Sequence, residues 1–244
     1  MPTVLPKTRV AATRINPKIL LLYSLPKVGK TSSLAELDDC LILDCEGGAD
    51  MYNALKTPIN SVKDIDDLIT AIIADGTANG GKYPYKYLAI DTIDKLEDFC
   101  EKSATAKFKR TTIGANFTGD SVLDLPKGGG YYHLRNEVIL QIERLARVCP
   151  YLILISHVKE KLLDKGGVEV TARDISLAGK LSQIVCAKVD GIGYMYRDND
   201  ELMVNFETYE GAVMGSRFPH LAGKKFKFDW SKIYLTEETA AVPA

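Results

Sequence analysis

Gly29, Lys30, Thr31 and Ser32 place a flexible residue, a cation and two hydroxyls where an apolar strand turns into a helix. They sit in KILLLYSLPKVGKTSSLAEL, Lys18 to Leu37, whose run Ile19 to Tyr23 reads as a strand and whose helix starts near Lys30. The intervening loop is Ser24, Leu25, Pro26, Lys27, Val28, Gly29, Lys30, Thr31. It has the phosphate-binding spacing G-x-x-x-x-G-K-[ST] except at Ser24, which stands where the first glycine is expected. A small residue can still make that turn. Backbone N–H groups at a helix N-terminus, reinforced by the helix dipole, form a concave anion site, and glycine lets the main chain approach it. Lys30 would then meet the β- and γ-phosphate oxygens of a nucleoside triphosphate, and the Thr31 hydroxyl would sit on Mg²⁺. Lys27 is next to the phosphates or simply solvated. The competing reading is a helix start merely broken by glycine; the strand before and the helix after it favour the phosphate loop.

Three further residues close predicted strands. Asp91 ends the apolar run YLAID and is the acid expected to hold Mg²⁺ through water, with a helix N-cap as its alternative role. Thr92 follows it, so no neighbouring glutamate can activate water. Glu46, at the end of CLILDCEGG, is the replacement base, able to reach a water in line with the γ-phosphate; a solvated turn acid is the alternative. Asp44 supports it or caps the same turn. His157 ends YLILISH, on a strand expected between the phosphate-loop strand and the Asp91 strand, where it can hydrogen-bond a γ-phosphate and report hydrolysis to the loop beyond.

These residues need a scaffold that brings strand ends together. Ser61 and Asp64 form a capping-box start, and Val62, Ile65, Leu68, Ile69, Ile72 and Ile73 trace one helical face. Ile93, Leu96, Cys100, Ala104 and Phe108 give a second helix, and roughly Tyr131 to Arg147 a third. Thr111 to Gly130 is polar and glycine-rich and reads as a mobile loop. LLDKGGVEVTA reads as a hairpin turned at Gly166 and Gly167, followed by a helix from about Gly179 to Ala187 and two strands about Asn199 and Asp200. Continuous apolar strands alternating with helices imply a three-layer α/β/α fold with a mostly parallel central sheet and antiparallel C-terminal strands. Ligands of such sheets sit at the carboxyl ends of the strands. The chain divides into an arm over 1–17, a core over 18–235 and a tail over 236–244.

Composition narrows the partners. With 46% hydrophobic residues in 244, one large core is expected. The 31 basic and 32 acidic residues nearly cancel, so a polyanion would have to meet local clusters. Five scattered cysteines without a C-x-x-C pair, and only three histidines, argue against a disulfide scaffold or zinc site and for a reducing cytoplasm. No apolar run approaches membrane length, so no membrane association is expected.

The order phosphate loop, LDCEGG, YLAIDTID, ILISHVKEK, GKLSQIVCAKVDGIGYMYR resembles the RecA/RadA ATPase core from about Lys18 to Tyr209. It is most similar to small phage RecA-like ATP-binding proteins of single-strand annealing and recombination. The resemblance implies a RecA-like P-loop NTPase using ATP and Mg²⁺, with the catalytic glutamate after the second strand at Glu46 and an aspartate-then-small pair at Asp91 and Thr92. RecA itself usually has glutamine where this chain has His157, and RadA-like members often have histidine. It also implies a homo-oligomer with nucleotide at the subunit interface, in the cytoplasm, of the host if phage-encoded, and a single-strand-binding protein as a further partner. Two loops, Thr111 to Gly130 and Lys159 to Ala178, would face DNA. Lys102, Lys107, Lys109, Arg110, Lys127 and Arg135 would then contact phosphates, and Phe117, Tyr131 and Tyr132 would stack on bases. Arg217, in GSRF, resembles the basic finger that such ATPases insert into a neighbour's site, with Lys180 and Lys224 as competitors.

The expected function is therefore ATP binding and hydrolysis coupled to single-stranded DNA. The alternatives are a hexameric motor or loader on the same core, a nucleotide-dependent binding module with little hydrolysis, and a small-molecule kinase, which the Glu46 position fits poorly.

Overall fold

The computed structural model describes Leu5 and residues 7–165, 168–208 and 211–236; within 161–172 the backbone alone is described. In chain order the elements are β1 (Ile19–Ser24), α1 (Lys30–Ala35), β2 (Cys40–Asp44), β3 (Lys56–Pro58), α2 (Val62–Ala78), β4 (Tyr87–Asp91) and α3 (Ile93–Lys109). There follow α4 (Gly130–Arg147), β5 (Tyr151–Lys165), β6 (Val168–Ile175), α5 (Leu181–Lys188), β7 (Gly191–Asp198), β8 (Glu201–Asn205), β9 (Gly215–Ser216), β10 (Lys225–Lys227) and α6 (Trp230–Ile233).

The sheet runs β10-β8-β7-β1-β5-β4-β2-β3, parallel from β7 to β3, with β8 and β10 added antiparallel. This is the three-layer, mostly parallel α/β fold expected from the sequence, and β5 does lie between β1 and β4. The central strands are apolar throughout because both faces are covered. Leu20 and Leu22 face one side, against Leu34 of α1 and Ile233 of α6. Leu21 and Tyr23 face the other, which is the larger core, built with Ile65 of α2, Leu96 of α3, Val138 of α4 and Leu181 of α5. The layers are thus unequal: long helices cover one face, short ones the other.

Local signals account for most boundaries. Ser61 caps α2 by accepting the Asp64 N–H at 3.3 Å. The β7–β8 turn puts Asn199 and Asp200 at φ 46° and 69°, the left-handed pair that a two-residue hairpin needs. No disulfide joins any of the five cysteines. Burial pushes the Cys40 thiol up to about 12, which makes it inert as a nucleophile.

Several expectations are corrected. Ile73, assigned to the buried face of α2, is 53% exposed, because that face is already filled by Ile65, Ile69 and Ile72. β5 does not stop at His157 but continues to Lys165, leaving the parallel sheet at His157 to pair with β6. The hairpin turn at Gly166 and Gly167 lies outside the described residues. Residues 111–130 are not an open loop: Thr105 Oγ1 accepts the Val122 N–H at 2.8 Å, and Val122 is fully buried with Ala104 and Phe108. The Gly130 α-carbon abuts the Val122 carbonyl so closely that a Cβ there would lie 1.8 Å from its oxygen.

The end of the expected arm is clasped to the end of the core. Buried Asn16 donates to the Leu235 carbonyl at 2.8 Å and accepts the Leu235 N–H at 2.8 Å. Asn16→Ala leaves both backbone groups unpaired and is expected to lower stability by about 1–3 kcal/mol. An unchanged urea midpoint would show that the clasp contributes nothing.

Candidate functional site

β1 delivers Ser24 and the loop, and α1 begins at Lys30, where the sequence placed it. Gly29 has φ 126°, a conformation that side chains avoid, and precedes the six-residue helix α1. Lys30 is 7% exposed, and its Nζ donates to the Ser24 Oγ and the Leu25 carbonyl, each at 3.1 Å. Burial lowers the pKa of this ammonium, while Asp91, Asp94 and Glu46 partly restore it. Ser24 therefore acts behind the loop, holding the lysine, not in the cavity itself.

A cavity of about 370 Å³ opens over this loop. Pro26, Lys27, Gly29, Lys30, Thr31 and Ser32 form one wall, and Glu46, Asp91 and His157 reach it from three other strand ends. Leu25 and Val28 do not line it: Leu25 is half-exposed, and the Val28 carbonyl faces Arg197.

Thr31 Oγ1 donates to Asp91 Oδ2 at 2.6 Å, so hydroxyl and acid, sixty residues apart in sequence, meet directly. Asp91 is 5% exposed, and its pKa is raised, chiefly by burial and further by Glu46, with the Thr31 bond and Lys30 opposing. A hydroxyl oxygen beside a buried carboxylate that Glu46 and Asp44 repel fits a small divalent cation such as Mg²⁺. Asp91 does not cap α3; Thr92 does, accepting the Lys95 N–H. The Thr92 hydroxyl also donates to Glu46 Oε1 at 2.7 Å and so orients the candidate base. Asp44 proves to be the turn acid: its carboxylate accepts the backbone N–H groups of Glu46, Gly47, Gly48 and Ala49.

His157 pairs with Ser24 as the last register position between β5 and β1. Its Nδ1 lies 2.5 Å from Asp94 Oδ2 and 3.8 Å from Glu46 Oε1. The Asp94 hydrogen bond raises the histidine pKa above its ordinary value, more than burial and Lys30 lower it.

Other expected residues lie elsewhere. Arg217 is not at its own chain's cavity: it binds the Ala187 carbonyl at 2.8 Å and faces Asp190, beside the start of β1, whereas the loop follows its end. Lys107 is engaged with buried Glu137 at 2.6 Å, and the Phe117 ring packs edge-on against Phe108 with Lys109 over its face. Lys107 is thus held by α4, and Phe117 and Lys109 meet because the 111–130 segment folds back onto α3. Arg110 and Lys127 are exposed, and Arg135 is half-buried. Arg197 escaped sequence reasoning: it reaches from β7 to donate to the Val28 carbonyl at 2.9 Å. No local signal marks it, since only the β1–β7 pairing brings it there.

A family model described as an AAA domain matches residues 16–237. The chain belongs to this family. Among solved structures, the AAA domain is similar to a KaiC-like protein from the hyperthermophilic archaeon Pyrococcus horikoshii, at 13% identity and TM-score 0.43 over 88% of this chain and 87% of that one. It is similar also to the RadB recombinase, at 12% identity and TM-score 0.45 over 90% of each chain. No curated protein matches the chain. No helix among the described residues of the AAA domain is long and apolar enough to cross a membrane.

The sole tryptophan offers a readout, because Trp230 Nε1 donates to the Ser33 carbonyl of α1 at 2.7 Å. Titration of MgATP should change Trp230 fluorescence saturably, and Lys30→Ala should abolish the response; equal responses from both proteins would remove Lys30 from the site. A second test concerns pH. The folded pKa of His157 lies above the unfolded value near 6.5, so its contribution to stability is complete below about pH 6.5 and lost as pH rises through the folded value. The gap in urea midpoint between wild type and His157→Gln should accordingly be wider at pH 6 than at pH 9.

Proposed function

We propose that this chain is an ATPase that binds ATP with Mg²⁺ at the Lys30 cavity and couples its hydrolysis to single-stranded DNA, in recombination or annealing of the phage type. The observation that carries the nucleotide part is the convergence of Lys30, Thr31 and Asp91 on one cavity from two strands separated by β5. Loop amides and Lys30 would receive the phosphates, while Thr31 and Asp91 would hold Mg²⁺, which supplies charge neutralisation on the phosphate oxygens. Glu46, 40% exposed at its side chain and oriented by Thr92, would accept a proton from the attacking water.

The DNA part rests on the family resemblance together with the β5–β6 hairpin, which departs from the sheet at His157. A histidine shared between the cavity and the root of that hairpin can couple phosphate occupancy to whatever the hairpin touches. Arg110 at the end of α3 and Lys127 within 111–130 are exposed cations suited to a backbone. Arg217, remote from its own loop, would serve in trans in a homo-oligomer.

One observation favours a second reading. The Glu46 carboxylate is already engaged by Thr92, so a nucleotide-dependent binding module that hardly turns over is the competing function. ATP hydrolysis measured with and without single-stranded DNA, across protein concentration and salt, separates the two. The ATPase reading expects stimulation by DNA, weakening as salt rises, and a loss of about 10²-fold or more in Lys30→Ala and Glu46→Gln. Turnover indifferent to DNA defeats the coupling, and turnover indifferent to Glu46→Gln favours the binding module.

A further inference from the structure

Asp94, in the first turn of α3, has a carboxylate wholly engaged by two consecutive residues of β5. Its Oδ1 accepts the Ser156 hydroxyl at 2.5 Å, its Oδ2 accepts the His157 backbone N–H at 3.0 Å, and His157 Nδ1 lies 2.5 Å from the same Oδ2. The side chain is 18% exposed. These contacts fall where β5 leaves the central sheet for its hairpin, and the Ser176 N–H bonds the His157 carbonyl at 3.0 Å from the other side of that junction.

We infer that Asp94 is the positioning residue for His157, holding its Nδ1 in the protonated form so that Nε2 is the ring atom offered to the terminal phosphate of the nucleotide. This rests on the ATPase reading above. An ionised carboxylate only accepts, so a ring nitrogen 2.5 Å from it carries the proton. Nδ1 is thereby withheld from Glu46, which at 3.8 Å is beyond hydrogen-bond reach and stays with Thr92. Asp94 thus keeps two functional groups of one cavity apart: a base on Glu46 and a donor on His157. When His157 is cationic, Nε2–H donates to an oxyanion; when it is neutral, Nε2 can only accept.

The charged groups facing the ring are Lys30 from α1, Glu46 behind β2 and Asp94 from α3. Glu97 and Asp98 of α3 and Lys159 of β5 line the adjoining cavity with it. Of these, the Asp94 bond is the largest influence and acts toward the cation. Removing it should lower the cationic fraction near neutral pH and free the ring to turn toward Glu46.

The test compares wild type, Asp94→Asn, His157→Gln and the double variant in full-length protein, with MgATP binding followed by Trp230 fluorescence and turnover by phosphate release. Asp94→Asn should keep MgATP affinity within about threefold and lower kcat by about tenfold or more, with the decline of kcat at rising pH displaced to lower pH. The double variant should be no slower than His157→Gln alone, as expected for two residues acting as a unit. An unchanged kcat and pH profile in a folded Asp94→Asn would overturn the inference, as would full additivity in the double variant. Should Asp94→Asn not fold, the ring nitrogens of wild-type His157 decide the matter by ¹⁵N NMR: a protonated Nδ1 supports the inference and a bare Nδ1 sinks it. Wild type that neither binds nor hydrolyses ATP would instead refute the underlying function, an outcome distinct from normal wild-type turnover with an indifferent Asp94.

Discussion

The ammonium of Lys30 and the carboxylate of Asp91 are both kept nearly dry at the carboxyl edge of one sheet, and the rest of the site follows from that arrangement. Burying an ion is unfavourable unless its charge is matched, and the two hydrogen bonds of Lys30 go to neutral oxygens. Asp91 is helped by the Thr31 hydroxyl and opposed by Glu46 and Asp44 nearby. An anion on the loop and a divalent cation on the acid would answer both imbalances at once. A phosphate chelate with its metal has that charge pattern, and its binding would stabilise the folded state by mass action.

The spacing of the two ions is set by the insertion of β5 between β1 and β4. Neighbouring strands lie roughly 4.8 Å apart, so one intervening strand leaves space for a ligand between loop and acid while Thr31 can still reach Asp91. The same strand brings His157 to the cavity wall. Because β5 then runs straight on into the β6 hairpin, one covalent strand joins the cavity floor to a projecting element.

The far side of the sheet is built differently. α1 is short and is held from outside by Trp230, which lies in an aromatic group with Phe228 and Tyr234 contributed by the last described residues of the core. Asn16 closes on Leu235 at the same end of the chain. The phosphate loop is therefore supported from behind by segments that have no part in its chemistry, and Arg197 braces it from the β7 side.

Read alone, the sequence was sufficient for the strand, glycine turn and helix start around Gly29 to Thr31, the apolar strand that ends at Asp91, the mostly parallel sheet and the capping of α2. Each rests on signals local to a few residues: an apolar run, a glycine spacing, a capping box. Which groups touch was decided only by folding. Thr92 holding Glu46, Asp94 holding His157, Arg197 on Val28 and Lys107 spent on Glu137 all join residues at least 30 positions apart. No short pattern encodes such pairs, because the backbone dictates local conformation while side-chain pairing depends on which strand ends the sheet brings side by side. The packed 111–130 segment shows the same limit from the other direction: a polar, glycine-rich composition describes an open loop, yet buried Val122, the Thr105 hydroxyl, the Phe117 ring and Ser121 on Glu101 fasten it to α3.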